Sequence, residues 1–247
     1  DVNHLMHTMR ADQQSKSTVS LDSSCFPPLI RELGNYFSAS DNSAYLVGGV
    51  VRDAFLKRPT NDIDLAISSQ PKSVGKDIAE LVDGRAILLD KSREIVRVAV
   101  PNLDGVKTID LTPMGNRIEE NLGRRDFTLD AISISLQEAC THGIEGKIID
   151  PHGGLKDLEA GVIKALSPSV FTEDPLRIMR GPRLAAQLGF RLEMETEKWI
   201  RHYAKLVLNV APERVRDELL KLLAEPKATY WLRLLDDLGL LRVIIPE

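Results

Sequence analysis

The sequence lacks the features that would tie it to a membrane or an oxidising compartment. None of its apolar runs approaches the ~18 residues that a membrane span needs. Cysteine occurs twice, at Cys25 and Cys140, far apart in the chain. Two such residues exclude a disulfide framework and a cysteine-based zinc site, and they fit a reducing, cytoplasmic compartment, with an organelle as the alternative. No internal repeat and no low-complexity segment is present. Neither sign of charge dominates: 32 Lys+Arg stand against 36 Asp+Glu, a net charge of −4. That balance excludes a surface coated in nucleic-acid-binding charge and leaves room for a local basic cleft. What is there is globular: 247 residues, 43% apolar and 28% charged. This length suits one or two domains, each with its own core.

Residues 1–24 are polar, mixed in charge and without the apolar core of a signal peptide, so they read as a loose tail or processed leader. The chain opens on Asp1 rather than methionine, and its native N-terminus is expected to lie upstream. From 25 to 170 short strands alternate with helices. Helices are predicted over Leu29–Phe37, Val50–Lys57 and Ser73–Leu81. Strands are predicted over Tyr45–Val47, Asp62–Ile67, Ala86–Leu89, Glu94–Val100, Val106–Leu111 and Ala131–Leu136. From 171 to 247 the pattern turns helical, over Glu173–Leu188, Glu193–Lys205, Pro212–Leu223 and Lys227–Leu238, with no strand signal. The fold class is therefore α+β, a mixed α/β head with one sheet, followed by an all-α neck.

Chemistry concentrates in Gly48–Leu65. A strand, then Gly48-Gly49, then a helix start leaves backbone N–H groups able to meet an anion, with Arg52 in the first turn as a possible phosphate contact. Taken alone, the glycines read as a tight turn. Asp62 and Asp64 alternate along a strand, so both carboxylates share one face while Ile63, Leu65 and Ile67 take the other. Such a pair is either a solvated strand face or a site for a hard cation such as Mg²⁺ together with substrate phosphates. Beside an anion site the second reading prevails and implies two-metal nucleotide chemistry. Asp110, on another predicted strand, is either a third carboxylate on that face or a surface residue.

At these residues the sequence resembles the class II nucleotidyltransferases, the bacterial-type CCA-adding enzymes (tRNA nucleotidyltransferases) and bacterial poly(A) polymerases. The resemblance rests on Gly48-Gly49-Val50-Val51-Arg52-Asp53 and Asp62-Ile63-Asp64. It continues through Arg124-Arg125-Asp126-Phe127-Thr128, Asp150-Pro151-His152-Gly153-Gly154, Glu173-Asp174-Pro175-Leu176-Arg177 and Glu213-Arg214-Val215-Arg216-Asp217. It implies that Asp62 and Asp64 bind catalytic Mg²⁺ and that Gly48, Gly49 and Arg52 position a triphosphate. It further implies that Arg125 and Asp126 orient the ribose, and that Asp174 and Arg177 read the base of ATP or CTP. Arg180 and Arg183 would continue the basic face.

The implied activity is template-independent addition of CCA, or of CC or A alone, to the 3′ end of tRNA or another RNA. Attack of the RNA 3′-OH on the α-phosphate would release pyrophosphate. Poly(A) addition is the alternative within the family. Outside it stand nucleotidyl transfer to a small molecule or protein, and nucleotide or RNA binding without turnover.

The template residues also have a bottom-up reading. On one helix Asp174 and Arg177 stand at i, i+3 and share a face, where a guanidinium beside a carboxylate offers donors and an acceptor to a base edge. The plainer reading is an intrahelical salt bridge. His152 and His202 read as structural. Three positions depart from the family pattern: Asp130 stands where asparagine is usual, Lys57 where glycine is usual, and Pro182 interrupts the presumed template helix. The body and tail domains that grip tRNA in the family are not in this sequence, which reads as a fragment or as a chain that needs a partner for RNA.

Overall fold

A computed structural model describes residues 26–40, 42–103, 105–141 and 147–245. The tail expected over residues 1–24 lies outside them, as does Cys25. The described chain forms two compact units. The first holds the residues up to Arg124 and Asp130–Pro151; the second holds Arg125–Leu129 and everything from His152 onward. The division therefore falls at Pro151/His152 and not near residue 170, and five residues of the head sequence join the second unit.

In the first unit the strands are β1 (Ala44–Val47), β2 (Asp62–Ile67), β3 (Arg85–Asp90), β4 (Ile95–Leu103), β5 (Val106–Pro113) and β6 (Ser133–Ser135). They form one sheet in the order β3-β4-β5-β2-β1-β6. β2 and β5 pair in parallel, and the other neighbours pair antiparallel. The expected β2 is found residue for residue. Ile63, Leu65 and Ile67 are buried as their alternation requires, and Ala66 is buried as well. The crossover that makes β2 and β5 parallel begins with helix Pro71–Leu81, which presents Val74, Ile78 and Ala79 to the core. Pro71 occupies its first turn, where the missing N–H costs nothing.

Sequence patterning missed the short helices Ile118–Leu122, Leu136–Thr141 and Gly154–Glu159. Each is one or two turns, too short to show a 3.6-residue period. The strand expected over Ala131–Leu136 is only β6, and Leu136 already begins a helix.

In the second unit, two-residue strands β7 (Val162–Ile163) and β8 (Arg191–Leu192) pair in parallel, so the expected all-α neck contains a small β element. Helices follow at Val170–Glu173, Arg177–Leu188, Met194–Tyr203, Pro212–Leu223, Ala228–Asp237 and Leu240–Ile244, with a 3₁₀ stretch at Ala204–Asn209. The single helix expected over Glu173–Leu188 is two. Asp174 is extended (φ −143°, ψ 98°), because a residue that precedes proline, here Pro175, is pushed out of the helical region. Pro182, by contrast, sits within Arg177–Leu188 without ending it.

Phe127 explains why Arg125–Leu129 belongs to this unit. Its ring is fully buried against Gly181, where a methyl group would lie 3.3 Å from it. Phe127 pairs with Ala165 in an isolated bridge, and the Thr128 N–H donates to the Lys164 carbonyl at 2.9 Å. The Thr128 hydroxyl also donates to Asp157 Oδ2 at 2.7 Å.

Helix Gly49–Phe55 ends in a left-handed cap at Lys57 (φ 53°), with the Arg58 N–H bonded to the Asp53 carbonyl at 2.8 Å and the Lys57 N–H to the Ala54 carbonyl at 3.1 Å. This is a two-bond C-terminal cap that glycine adopts without a Cβ penalty. The departure at Lys57 therefore carries strain. Lys57→Gly is expected to raise stability by about 1 kcal/mol, read as a higher midpoint in urea; an unchanged or lower midpoint would refute the strain.

Candidate active site

β1 runs antiparallel to β2, so the Gly48–Gly49 turn that follows β1 lies at the end of the sheet where β2 begins with Asp62. Gly48 has φ 72° and ψ −139°, a conformation essentially closed to residues with a Cβ. The turn thus needs its glycine. The helix it opens has only seven residues.

Asp62 is exposed and Asp64 half-buried on the same face of β2. The parallel register sets Asp62 opposite Thr108 and Asp64 opposite Asp110. The Thr108 hydroxyl donates to Asp62 Oδ1 at 2.7 Å. Asp110 is indeed on a neighbouring strand in line with the pair, as one of the two sequence readings had it. It is held by a residue that the sequence reading did not single out. Arg97, opposite Asp110 on β4, donates from Nε to Oδ1 and from Nη2 to Oδ2, both at 2.7 Å. The hydrogen bond to Asp110 raises the Arg97 pKa most, and the charges of Asp110, Asp62 and Asp64 add to it. No group of three or more acidic, histidine or cysteine side chains is placed to hold a metal among the described residues. Asp62 and Asp64 are the two carboxylates here that could offer oxygens to a cation brought by a substrate. Such a set suits Mg²⁺, which keeps waters and takes further ligands from substrate phosphates.

Arg52 departs from its expected role. Its side chain is 7% exposed and turned into the core, donating from Nε to Asp53 Oδ1 at 2.9 Å and from Nη1 to Asp130 Oδ1 at 2.7 Å. Burial would lower its pKa, but Asp130 and Asp53 outweigh burial and raise it. A Cβ on Gly49 would stand 3.3 Å from Arg52 Nη2, so the guanidinium packs directly under the glycine turn. The unusual Asp130 thus serves as the counter-ion of Arg52.

In the second unit Asp126 is buried and paired through Oδ2 with Arg180 Nε at 2.8 Å. Asp126, expected at the ribose, is in this structure the buried partner of a part-exposed Arg180. Burial alone would raise the Asp126 pKa, yet Arg180, Arg177, a backbone hydrogen bond and Arg125 together hold it below the ordinary 3.8. Asp174 and Arg177 do not share a helix face, since the chain is extended at Asp174. They are linked through the turn instead, with the Arg177 N–H bonded to the Asp174 carbonyl at 3.0 Å and the Leu176 N–H to Asp174 Oδ1 at 3.2 Å. Arg177 Nη1 lies 3.5 Å from Glu173 Oε2, and burial lowers its pKa despite Asp126 and Asp174. Arg214, from the last motif, approaches Asp174 Oδ2 at 3.6 Å. Arg183 belongs to the helix packing rather than to a basic edge: it donates to Glu218 Oε2 at 2.9 Å and to Gln187 at 2.6 Å.

Comparison with known proteins identifies the family. The profile described as "Poly A polymerase head domain" matches residues 44–164, and that described as "Probable RNA and SrmB- binding site of polymerase A" matches residues 189–247. A CC-adding tRNA nucleotidyltransferase from Geobacter sulfurreducens is 36% identical over 85% of this chain and 46% of its own length. A CCA-adding enzyme from Lactiplantibacillus plantarum is 35% identical over 75% of this chain and 46% of its own. Among solved structures, a CCA-adding enzyme in complex with ATP superposes with a TM-score of 0.74 at 28% identity, covering 89% of this chain and 51% of that one. The Thermotoga maritima CCA-adding enzyme complexed with tRNA gives 0.76 at 27%, covering 100% and 56%. The chain belongs to the class II nucleotidyltransferase family of CCA-adding enzymes and bacterial poly(A) polymerases. It spans about half the length of the curated relatives it matches.

Two outcomes follow from the buried pairs. Arg52→Met leaves Asp53 and Asp130 facing each other without a cation and is expected to cost about 3–5 kcal/mol, measured by urea denaturation. A variant as stable as wild type that instead loses ATP affinity would return Arg52 to phosphate binding. For Asp126, whose folded pKa is lowered, the added stability is complete above the ordinary 3.8 and fades as pH falls through the lowered value. Asp126→Asn is therefore expected to cost on the order of 3 kcal/mol near neutral pH and to flatten the acid side of stability against pH. An acid limb identical to wild type would contradict this.

Proposed function

We propose that this chain is the nucleotidyl-transferring part of an enzyme that extends the 3′ end of tRNA, adding CCA or part of it from CTP and ATP in a Mg²⁺-dependent reaction. The observation that carries the reading is the β2 face: Asp62 and Asp64 side by side, at the sheet end where the strained Gly48–Gly49 turn leaves β1, in a fold shared with CCA-adding enzymes. Asp62 and Asp64 would hold the divalent ion, which supplies Lewis-acid stabilisation of developing phosphate charge and eases ionisation of the attacking hydroxyl. The glycine turn would receive the triphosphate, its shape kept by Arg52 beneath it. Asp174 and Arg177 would present an acceptor and donors to the edge of the incoming base, and Arg125 would add positive charge for a phosphate. The RNA 3′-OH would attack the α-phosphate and release pyrophosphate.

The named relatives include both CC-adding and CCA-adding enzymes, which is why the reading extends to either product. Poly(A) addition is the second reading, favoured by the two polymerase profiles. No helix among the described residues is long and apolar enough to cross a membrane. With so little cysteine, we place the reaction in the cytoplasm.

The test is extension of labelled tRNA ending before the CCA, at C or at CC, offered CTP, ATP or both with Mg²⁺. One to three added nucleotides are expected. The Asp62→Ala/Asp64→Ala variant should lose roughly a thousandfold or more, at least the scale of removing a charge-stabilising group. Turnover that survives in that variant would end the proposal, and long adenosine tracts would select the poly(A) reading.

A further inference from the structure

The acidic face of β2 and β5 contains its own counter-ion. Across three neighbouring strands, one row reads Asp64 on β2, Asp110 on β5 and Arg97 on β4, each opposite the next by register. Arg97 holds both oxygens of Asp110. Its side chain is 40% exposed and that of Asp110 20%, so the pair sits at the edge of solvent beside Asp62 and Asp64 rather than inside the core. A bidentate fork fixes the plane of the carboxylate as well as its charge. Asp110 would otherwise be a third carboxylate in line with the two proposed metal ligands.

We infer that Arg97 is a positioning residue that withholds Asp110 from the divalent cation and sets the charge the cation meets. This rests on the reading of Asp62 and Asp64 as the metal-holding pair. Arg97 offsets the charge of Asp110 on this face. Without Arg97 the face is one unit more negative, and Asp110 is released toward the ion. The consequence for the protein as it stands is weak affinity for the free ion. Occupancy then depends on the phosphates that arrive with the nucleotide, whose oxygens complete the coordination. A three-carboxylate face would hold the ion before substrate came.

The experiment is Mn²⁺ binding, followed by the electron paramagnetic resonance of the free ion, with no nucleotide present. It uses wild type, Arg97→Gln, Asp110→Asn and the double variant, with melting temperature measured in parallel. Relative to wild type, the three variants change the charge of the face by −1, +1 and 0, and the expected order of affinity follows those changes. Arg97→Gln should bind about tenfold tighter than wild type and Asp110→Asn about tenfold weaker, as one unit charge at this distance would do. The double variant should return to within about threefold of wild type. Arg97→Lys keeps the charge without the fork and should fall between wild type and Arg97→Gln.

A pair that merely ties β4 to β5 would shift the melting temperatures and leave Mn²⁺ affinity flat, and that result overturns the inference. If Arg97→Gln does not fold, Asp110→Asn and Arg97→Lys still decide: weaker binding in the first with tighter binding in the second supports it, and equal affinity in all three sinks it. Loss of Mn²⁺ binding in Asp62→Ala/Asp64→Ala with no response to Arg97→Gln would overturn the inference alone. Mn²⁺ binding indifferent to Asp62 and Asp64 would overturn the metal-site reading with it.

Discussion

Acidic side chains lined up on a sheet repel, and the first unit is arranged around that repulsion. β2 carries Asp62 and Asp64 on one face because its other face must bury Ile63, Leu65 and Ile67. The parallel partner β5 then brings Asp110 into the same row. Such a row persists only where cations or hydrogen-bond donors offset it. The Thr108 hydroxyl takes one oxygen of Asp62 and the Arg97 fork takes Asp110. Under the glycine turn the same principle works in reverse: a buried guanidinium, Arg52, is held between Asp53 and Asp130. The site is therefore a balance of fixed charges laid out by strand register.

Much of this was legible in the sequence. The period-two alternation of Asp62–Ile67 gave the strand to the residue, since burying one face leaves little freedom of register. Helix Pro212–Leu223 was equally plain, with proline in its first turn and a steady apolar stripe. The glycine pair announced a backbone conformation that only glycine reaches. Family resemblance added the order of the motifs, and the profiles and superpositions bear out the family.

What escaped the sequence has physical causes. Arg97 stands on an unremarkable alternating strand, and its meaning depends on a partner thirteen residues away across a hairpin. Arg52 looked like a phosphate ligand because it opens a helix behind two glycines. It is turned inward because Asp130, 78 residues later, offers it a buried carboxylate. The template residues were placed on one helix by spacing, yet Pro175 keeps Asp174 extended and the helix begins afresh at Arg177. The β7–β8 pair is too short to leave a period, and its strands lie in separate parts of the chain. These are tertiary facts, carried by residues distant in sequence.

The placement of Arg125–Leu129 bears on how such a protein can be divided. The polypeptide passes between the two units three times, at Arg124/Arg125, Leu129/Asp130 and Pro151/His152. Any single cut leaves one piece incomplete. A break after Pro151 would strip the second unit of Phe127, whose ring fills the space beside Gly181, and of the carboxylate that answers Arg180. The two units are thus distinct in packing but inseparable in sequence. Gene fusions or exchanges that join them at one point would carry half of a folding unit across the seam. A lineage built on this arrangement is constrained to inherit both together.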